Sequence, residues 1–255
     1  MAVLLVASVA GCARTGGETT GEGSTSPVVF LPGPAQLVAA LRFDGGFVPP
    51  GWLAIRAPRL AVYSDGRAVA DADRALTLTS QELSDLVGML RSDLAGQPAT
   101  ASPRADGQAV ADAATTVLVV RTADGRLRSV SAYALEILKG YPERLYAARD
   151  RLDRLTERVL HDGRPYTADR IRLVAEERTD PEAAATAQPW PAAVAVPPVV
   201  DSQLGVRTAD LADAAAAAAA QALPHHGQQG GAWQVRRTSD GKLLAVSWRY
   251  LLPDE

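Results

Sequence analysis

Asparagine is absent from this sequence, lysine occurs twice, at Lys139 and Lys242, and cysteine occurs once, at Cys12. Each scarcity removes a class of explanation. One cysteine builds neither an intramolecular disulfide framework nor a cysteine-cluster zinc site. Without asparagine, turn positions that need positive φ fall to Gly or Asp. The formal net charge is only -3, so no bulk field draws the chain to nucleic acid. No apolar run reaches the roughly 20 residues that a membrane-spanning helix needs. A G-x-S-x-G nucleophile turn, a P-loop and a G-x-G-x-x-G after a strand are all missing, which removes the common motif-bearing hydrolase and nucleotide sites. What remains is 255 residues, 47% of them hydrophobic, enough to bury an ordinary core.

The cysteine stands in a distinctive place. Ala2–Ala10 is a short apolar run, of the length of a signal-peptide h-region, about 7–15 residues. It ends in Val9-Ala10-Gly11-Cys12, which resembles the bacterial lipobox. In that motif small residues admit the peptidase, the thiol receives a diacylglyceryl group, and cleavage makes the cysteine the first mature residue. No Lys or Arg precedes Cys12, so the basic n-region of such a signal is expected to be truncated. Residues 13–27, rich in Gly, Thr and Ser, read as a solvated tether. The expected organisation is therefore a signal peptide over 1–11, a lipidated Cys12 with a flexible linker over 12–27, and a single α+β domain over 28–255. Two buried acyl chains suffice for stable anchoring.

Within that domain the pattern predicts antiparallel hairpins and three helices. Residues 36–43 read as a strand, followed by a loop forced by paired Gly and paired Pro at 45–50. Asp65-Gly66, Asp124-Gly125 and Asp240-Gly241 each separate two β-type runs, which marks a tight hairpin turn. A capping box at Thr79 and Glu82 opens a helix whose Leu83, Leu86, Val87, Leu90 and Leu94 share one face. A second helix is expected over 142–160, with a charged outer face laced by i,i+4 pairs. A third, alanine-rich, is expected over 208–223. Residues 180–200 read as irregular. Hairpins interspersed with helices indicate α+β, not a doubly wound parallel sheet.

Gly45-Gly46-Phe47-Val48-Pro49, Tyr63-Ser64-Asp65-Gly66, Thr115-Thr116, Tyr133-Ala134-Leu135 and the ending Leu251-Leu252-Pro253-Asp254-Glu255 together resemble an uncharacterised actinobacterial lipoprotein group. The scarcity of lysine and abundance of alanine fit the GC-rich coding bias of such organisms. The resemblance implies secretion and anchoring at the outer face of the cell membrane. It implies no catalytic residues.

The residues that could carry chemistry are few. His225-His226 could ligate a metal, but no Cys or carboxylate stands at ligand spacing, so no metal and no cofactor is expected. Asp71 and Asp73 alternate as in calcium loops, with too few other oxygens. Ser239-Asp240-Gly241-Lys242 has the form S-x-x-K, but a turn splits it. The Gly-Gly-Phe-Val-Pro-Pro-Gly-Trp segment is the candidate recognition loop, through Gly45, Gly46, Phe47, Pro49 and Trp52, with Trp52 expected to be exposed. The sequence thus points to a membrane-anchored extracytoplasmic lipoprotein, a non-enzymatic binding or interaction module of the cell envelope. Its expected partners are the membrane, through the lipid, and an envelope protein or polymer. The alternative is an envelope hydrolase with a carboxylate-based site, separable by a pocket with convergent acidic groups as against an exposed apolar patch near residues 45–52.

Overall fold

A computed structural model describes residues 35–103, 110–226 and 233–255 of the chain. Cys12, the expected signal peptide and the tether lie outside the described residues. The architecture is α+β, with two mostly antiparallel sheets. The first sheet holds β1 (Leu37–Gly45), β2 (Leu60–Tyr63), β3 (Arg67–Ala70), β4 (Arg74–Thr77), β5 (Thr100–Ala101), β6 (Ala114–Arg121), β7 (Leu127–Tyr133) and β8 (Arg164–Pro165). Their order is β5-β7-β6-β1-β2-β3-β4-β8. The second holds β9 (Arg170–Arg178), β10 (Gln188–Pro189), β11 (Val199–Asp201), β12 (Val206–Ala212), β13 (Gln234–Arg237) and β14 (Leu243–Tyr250), in the order β10-β13-β14-β9-β12-β11. Among the described strands, only the short β5–β7 and β10–β13 pairings are parallel.

The three Asp-Gly turns fall where the sequence places them, and Gly66, Gly125 and Gly241 have φ of 86°, 82° and 86°. A side chain at that φ would be strained, so glycine sets the hairpin. The expectation that Gly and Asp alone fill positive-φ positions needs correction. Ala72 and Ala134 also stand at φ 52°. Both are buried, and their burial in packed turns offsets a left-handed cost of about 1–2 kcal/mol.

Two helices cover one face of the first sheet. α2 (Ser80–Leu94) begins with the expected capping box: the Glu82 N–H donates to Thr79 Oγ1 at 3.2 Å, and the Thr79 N–H donates to Glu82 Oε2 at 2.8 Å. α3 (Glu143–Asp162) lies beside it. Leu83, Val87, Leu90, Leu145 and Leu152 pack against Leu41, Leu60, Val62, Leu118 and Val120 of the sheet. The opposite face of this sheet, with Ala61, Tyr63 and Val69, packs against Tyr166 and Leu252.

The expected third helix is half wrong. Residues 206–212 form β12, paired with β9 from Val206↔Glu176 to Ala212↔Arg170. Only Asp213–Ala222 form the helix, α5. Seven ladder positions beside an open strand edge outweigh a weak helical preference in VRTADLA. Two further helices were not foreseen. The short α4 (Pro181–Thr186) lies in the stretch expected to be irregular and is capped by Asp180, which accepts from the Ala183 N–H at 2.8 Å. The other, α1 (Pro50–Ile55), lies in the candidate loop.

Candidate functional site

The Pro-Pro-Gly-Trp segment turns helical because Pro is preorganised for a first turn. Pro49 is the N-cap of α1 and offers no side-chain cap. The missing acceptor arrives from far along the chain: Glu176 Oε2 on β9 takes the Gly51 N–H at 2.9 Å. A Cβ at Gly51 would meet that oxygen at 2.7 Å and the Trp233 ring at 3.0 Å, so the approach requires glycine. Ile55, buried against Val174 and Val206, seats α1 on the second sheet. Arg56 then reaches back to the first sheet, donating from one Nη atom to the carbonyls of Phe43 at 3.0 Å and Gly45 at 2.8 Å. α1 is thereby a bridge between the sheets.

The candidate recognition residues separate into two groups. Phe47 is 89% exposed. Its N–H donates to Asp112 O at 3.1 Å, and the Val48 N–H donates to Gly46 O at 3.1 Å, so a fixed backbone presents the ring. Gly45 and Gly46 supply the left-handed turn before it, at φ 68° and 87°. Pro49 then starts the helix. Trp52 corrects the expectation: it is half-buried, edge-on to His226 at 5.1 Å and stacked near Trp233 at 6.5 Å between centroids. The partly exposed aromatic surface near Phe47 comes instead from Tyr133. Tyr133 pairs with Thr115 beside the Gly45↔Ala114 register, and its hydroxyl takes the Ala113 N–H at 3.0 Å and donates to Val110 O at 2.8 Å. Phe47 and Tyr133 therefore flank the same 110–113 segment at one end of the first sheet.

The two histidines point apart. His225 lies on Trp248 at 4.5 Å, and His226 packs between Trp52 and Trp233. His225 Nε2, His226 Nδ1 and Trp233 Nε1 are buried and have no hydrogen-bond partner among the described residues. Burial, aided by the positive charge of His225 and Arg249, holds His226 down to about 4. Burial also lowers His225. Among the described residues, no group of three or more His, Cys, Asp or Glu is placed to hold a metal ion. Asp71 is occupied by Arg59 at 2.5 Å, and Lys242 of the S-x-x-K sequence pairs with Glu177 at 3.3 Å.

The Leu251–Glu255 segment, quoted above for its resemblance alone, is clamped between the sheets. Tyr63 donates its hydroxyl to Asp254 Oδ1 at 2.5 Å; burial, then this carboxylate, push the phenol pKa up. Tyr166 donates to Leu251 O at 2.9 Å. Arg249, only 1% exposed, holds both Glu255 oxygens at 2.7 and 2.6 Å and gives its Nε–H to Ile55 O at 2.6 Å. Burial alone would raise Glu255, but Arg249, the Leu252 N–H and Arg172 outweigh it and hold the carboxyl below its ordinary value.

A cleft of about 400 Å³ opens between β1, the end of α1 and this clamped segment, lined among others by Leu37, Ala40, Arg42, Asp44, Leu53, Arg56, Leu252 and Asp254. Burial raises the carboxyls of Asp71, Glu136 and Asp153 above their ordinary values, yet none of the three lines the cleft. The sequence reading passed over Arg42 and Asp44. Their signal was available: alternate charged residues in an apolar strand mark a face that meets solvent. The role of Arg56 and Arg249 was not legible, because their partners are carbonyls and carboxylates set by the tertiary fold.

Comparison with protein-family models, curated proteins and solved structures finds no match for this chain. Among the described residues, no helix is long and apolar enough to cross a membrane.

Proposed function

We propose that the chain is a lipid-anchored protein of the cell envelope, held on the outer face of the cell membrane through Cys12. It works as a non-enzymatic binding or interaction module. The observation that carries the binding reading is the presentation of Phe47. An aromatic ring that is 89% exposed on a backbone pinned by Asp112 and by the Arg56 clamp is an anchor whose backbone needs no further ordering on binding. Large exposed aromatics next to further apolar surface are the usual hot spots of protein interfaces. Tyr133, which holds the same 110–113 segment, extends the patch. The resemblance to actinobacterial lipoproteins, together with the Cys12 motif and the tether composition, supports the anchored location. The partner in this reading is an envelope protein or polymer.

The test uses a host with the lipoprotein pathway and the chain expressed behind a basic n-region. Membrane fractionation with lipid labelling compares wild type with Cys12→Ala. Label and membrane retention that depend on Cys12 support anchoring; an unlabelled wild type in the cytosol sinks it. Crosslinking with a photoreactive residue at position 47 tests the surface. Capture of a defined envelope component, blocked by an excess of unlabelled wild type but not by an excess of Phe47→Ser with an unchanged fold, is the expected result. Equal competition by both proteins excludes the Phe47 surface.

A further inference from the structure

The cleft beside α1 carries charges that the fold does not use. Arg42 and Asp44 share the outward face of β1 with Ala40, by strand alternation. Both are exposed, and outside the β1–β6 backbone ladder neither side chain has a hydrogen-bond or ion-pair partner among the described residues. Asp254 gives one carboxylate oxygen to Tyr63, and its other oxygen has no partner among the described residues. By contrast, Glu255 and Arg56, which also line the cleft, are saturated by Arg249 and by the β1 carbonyls. Structural pairing therefore leaves one guanidinium and two carboxylates open around an apolar floor of Leu37, Ala40, Leu53 and Leu252. A volume of about 400 Å³ is near the lower end of the roughly 300–1,000 Å³ range of small-ligand sites. Arg42 and Asp44 are two residues apart on a strand, about 7 Å between Cα atoms, so the cleft carries charges of opposite sign side by side along one wall.

We infer that this cleft binds a small apolar zwitterion of the amino-acid or dipeptide class. Its carboxylate meets Arg42, its ammonium meets Asp44 and Asp254, and its apolar side chains lie on the leucine floor. A guanidinium is suited to a carboxylate because its planar fork matches the two oxygens. An anion alone would face two unpaired carboxylates, and a cation alone would face Arg42. The cleft thus favours a molecule bearing both charges over either half. This inference stands apart from the anchoring and Phe47 readings, since it concerns neither Cys12 nor the aromatic patch.

The experiment is a titration of the full chain followed by chemical-shift change and calorimetry. The probes are leucyl-leucine, leucyl-leucinamide, N-acetyl-leucyl-leucine and N-acetyl-leucyl-leucinamide. Saturable binding of leucyl-leucine is expected, with each end-blocked probe weaker by about fivefold, the scale of one exposed ion pair. Arg42→Gln should erase the preference for a free carboxylate, and Asp44→Asn should weaken the preference for a free ammonium. Both positions are exposed, so neither variant threatens folding. Absence of saturable binding, equal binding of all four probes, or a preference unchanged by both variants overturns the inference. Dependence on the carboxylate alone overturns the zwitterion assignment. None of these outcomes bears on lipid labelling or crosslinking at position 47, so failures of the two readings are distinguishable.

Discussion

The helices on the first sheet and the helix on the second solve the same covering problem with different side chains. α2 and α3 bury Leu83, Leu90, Leu94, Leu145 and Leu152. α5 buries Ala216 and Ala219, with Leu223 at its end. A leucine takes far more apolar area out of water than an alanine, so the first layer is held by area and the second by close approach. The second layer makes up the difference with aromatic and ionic pieces: Trp248 against His225 and Tyr250, and the buried Arg249–Glu255 pair that ties in α1. The first sheet thus rests on many aliphatic contacts of one kind, while the second adds a few aromatic and ionic ones to its small helix.

The largest way to break this comparison is Leu90→Ala. It leaves a cavity under a fully buried leucine and should cost about 2–5 kcal/mol, read as a drop in the denaturant midpoint with m unchanged. Glu255→Gln comes next. It leaves Arg249 buried without its counter-charge, at a cost of about 3 kcal/mol. Hydrogen exchange should then show α1 and β14 opening before α2 and α3; uniform loosening of both layers would contradict the division drawn here. Ala219→Gly in α5 should cost about 1–2 kcal/mol, through helix propensity and the loss of a buried methyl. A much larger loss would mean that α5 contributes more than its small side chains imply.

Acid sharpens the same contrast. His226 sits at about 4 in the folded chain, against an ordinary 6.5, so between these values the unfolded chain binds more protons there. Its contribution to stability is therefore complete above about pH 6.5, falls as pH drops toward 4, and levels off below. Asp71, Glu136 and Asp153, whose pKa values are raised, act in the opposite sense. The difference between wild type and His226→Phe isolates the histidine: the gap between their pH–stability curves should change across that window, and parallel curves would remove His226 from the account. The smallest effect is expected at Phe47→Ser, within about 0.5 kcal/mol, because the ring touches solvent more than protein.

Much of the first layer was legible residue by residue. Thr79 and Glu82 announced α2, the leucine spacing fixed its buried face, and Asp-Gly marked the β2–β3 and β6–β7 turns, though not the β3–β4 turn at Asp71-Ala72-Asp73. These are local signals, carried by backbone conformation and by neighbours within a few positions. The second layer was less legible. Residues 206–212 carry no strong preference of their own, and became a strand because β9 offered an edge. Trp52 looked like a surface residue after Pro-Pro-Gly, and is covered because His226 and Trp233, both more than 170 positions away, come to lie against it.

The candidate site divides the same way. Sequence alone determined that Gly45 and Gly46 must turn and that a phenylalanine stands at the bend. Only the tertiary structure decided that Phe47 faces solvent on a pinned backbone, that Arg56 and Arg249 are spent inside the fold, and that Arg42, Asp44 and Asp254 are left open around one cleft. The physical reason is range. Turn and helix preferences act over a few covalent bonds, whereas burial and charge pairing depend on which distant groups the folded chain brings within a few ångströms.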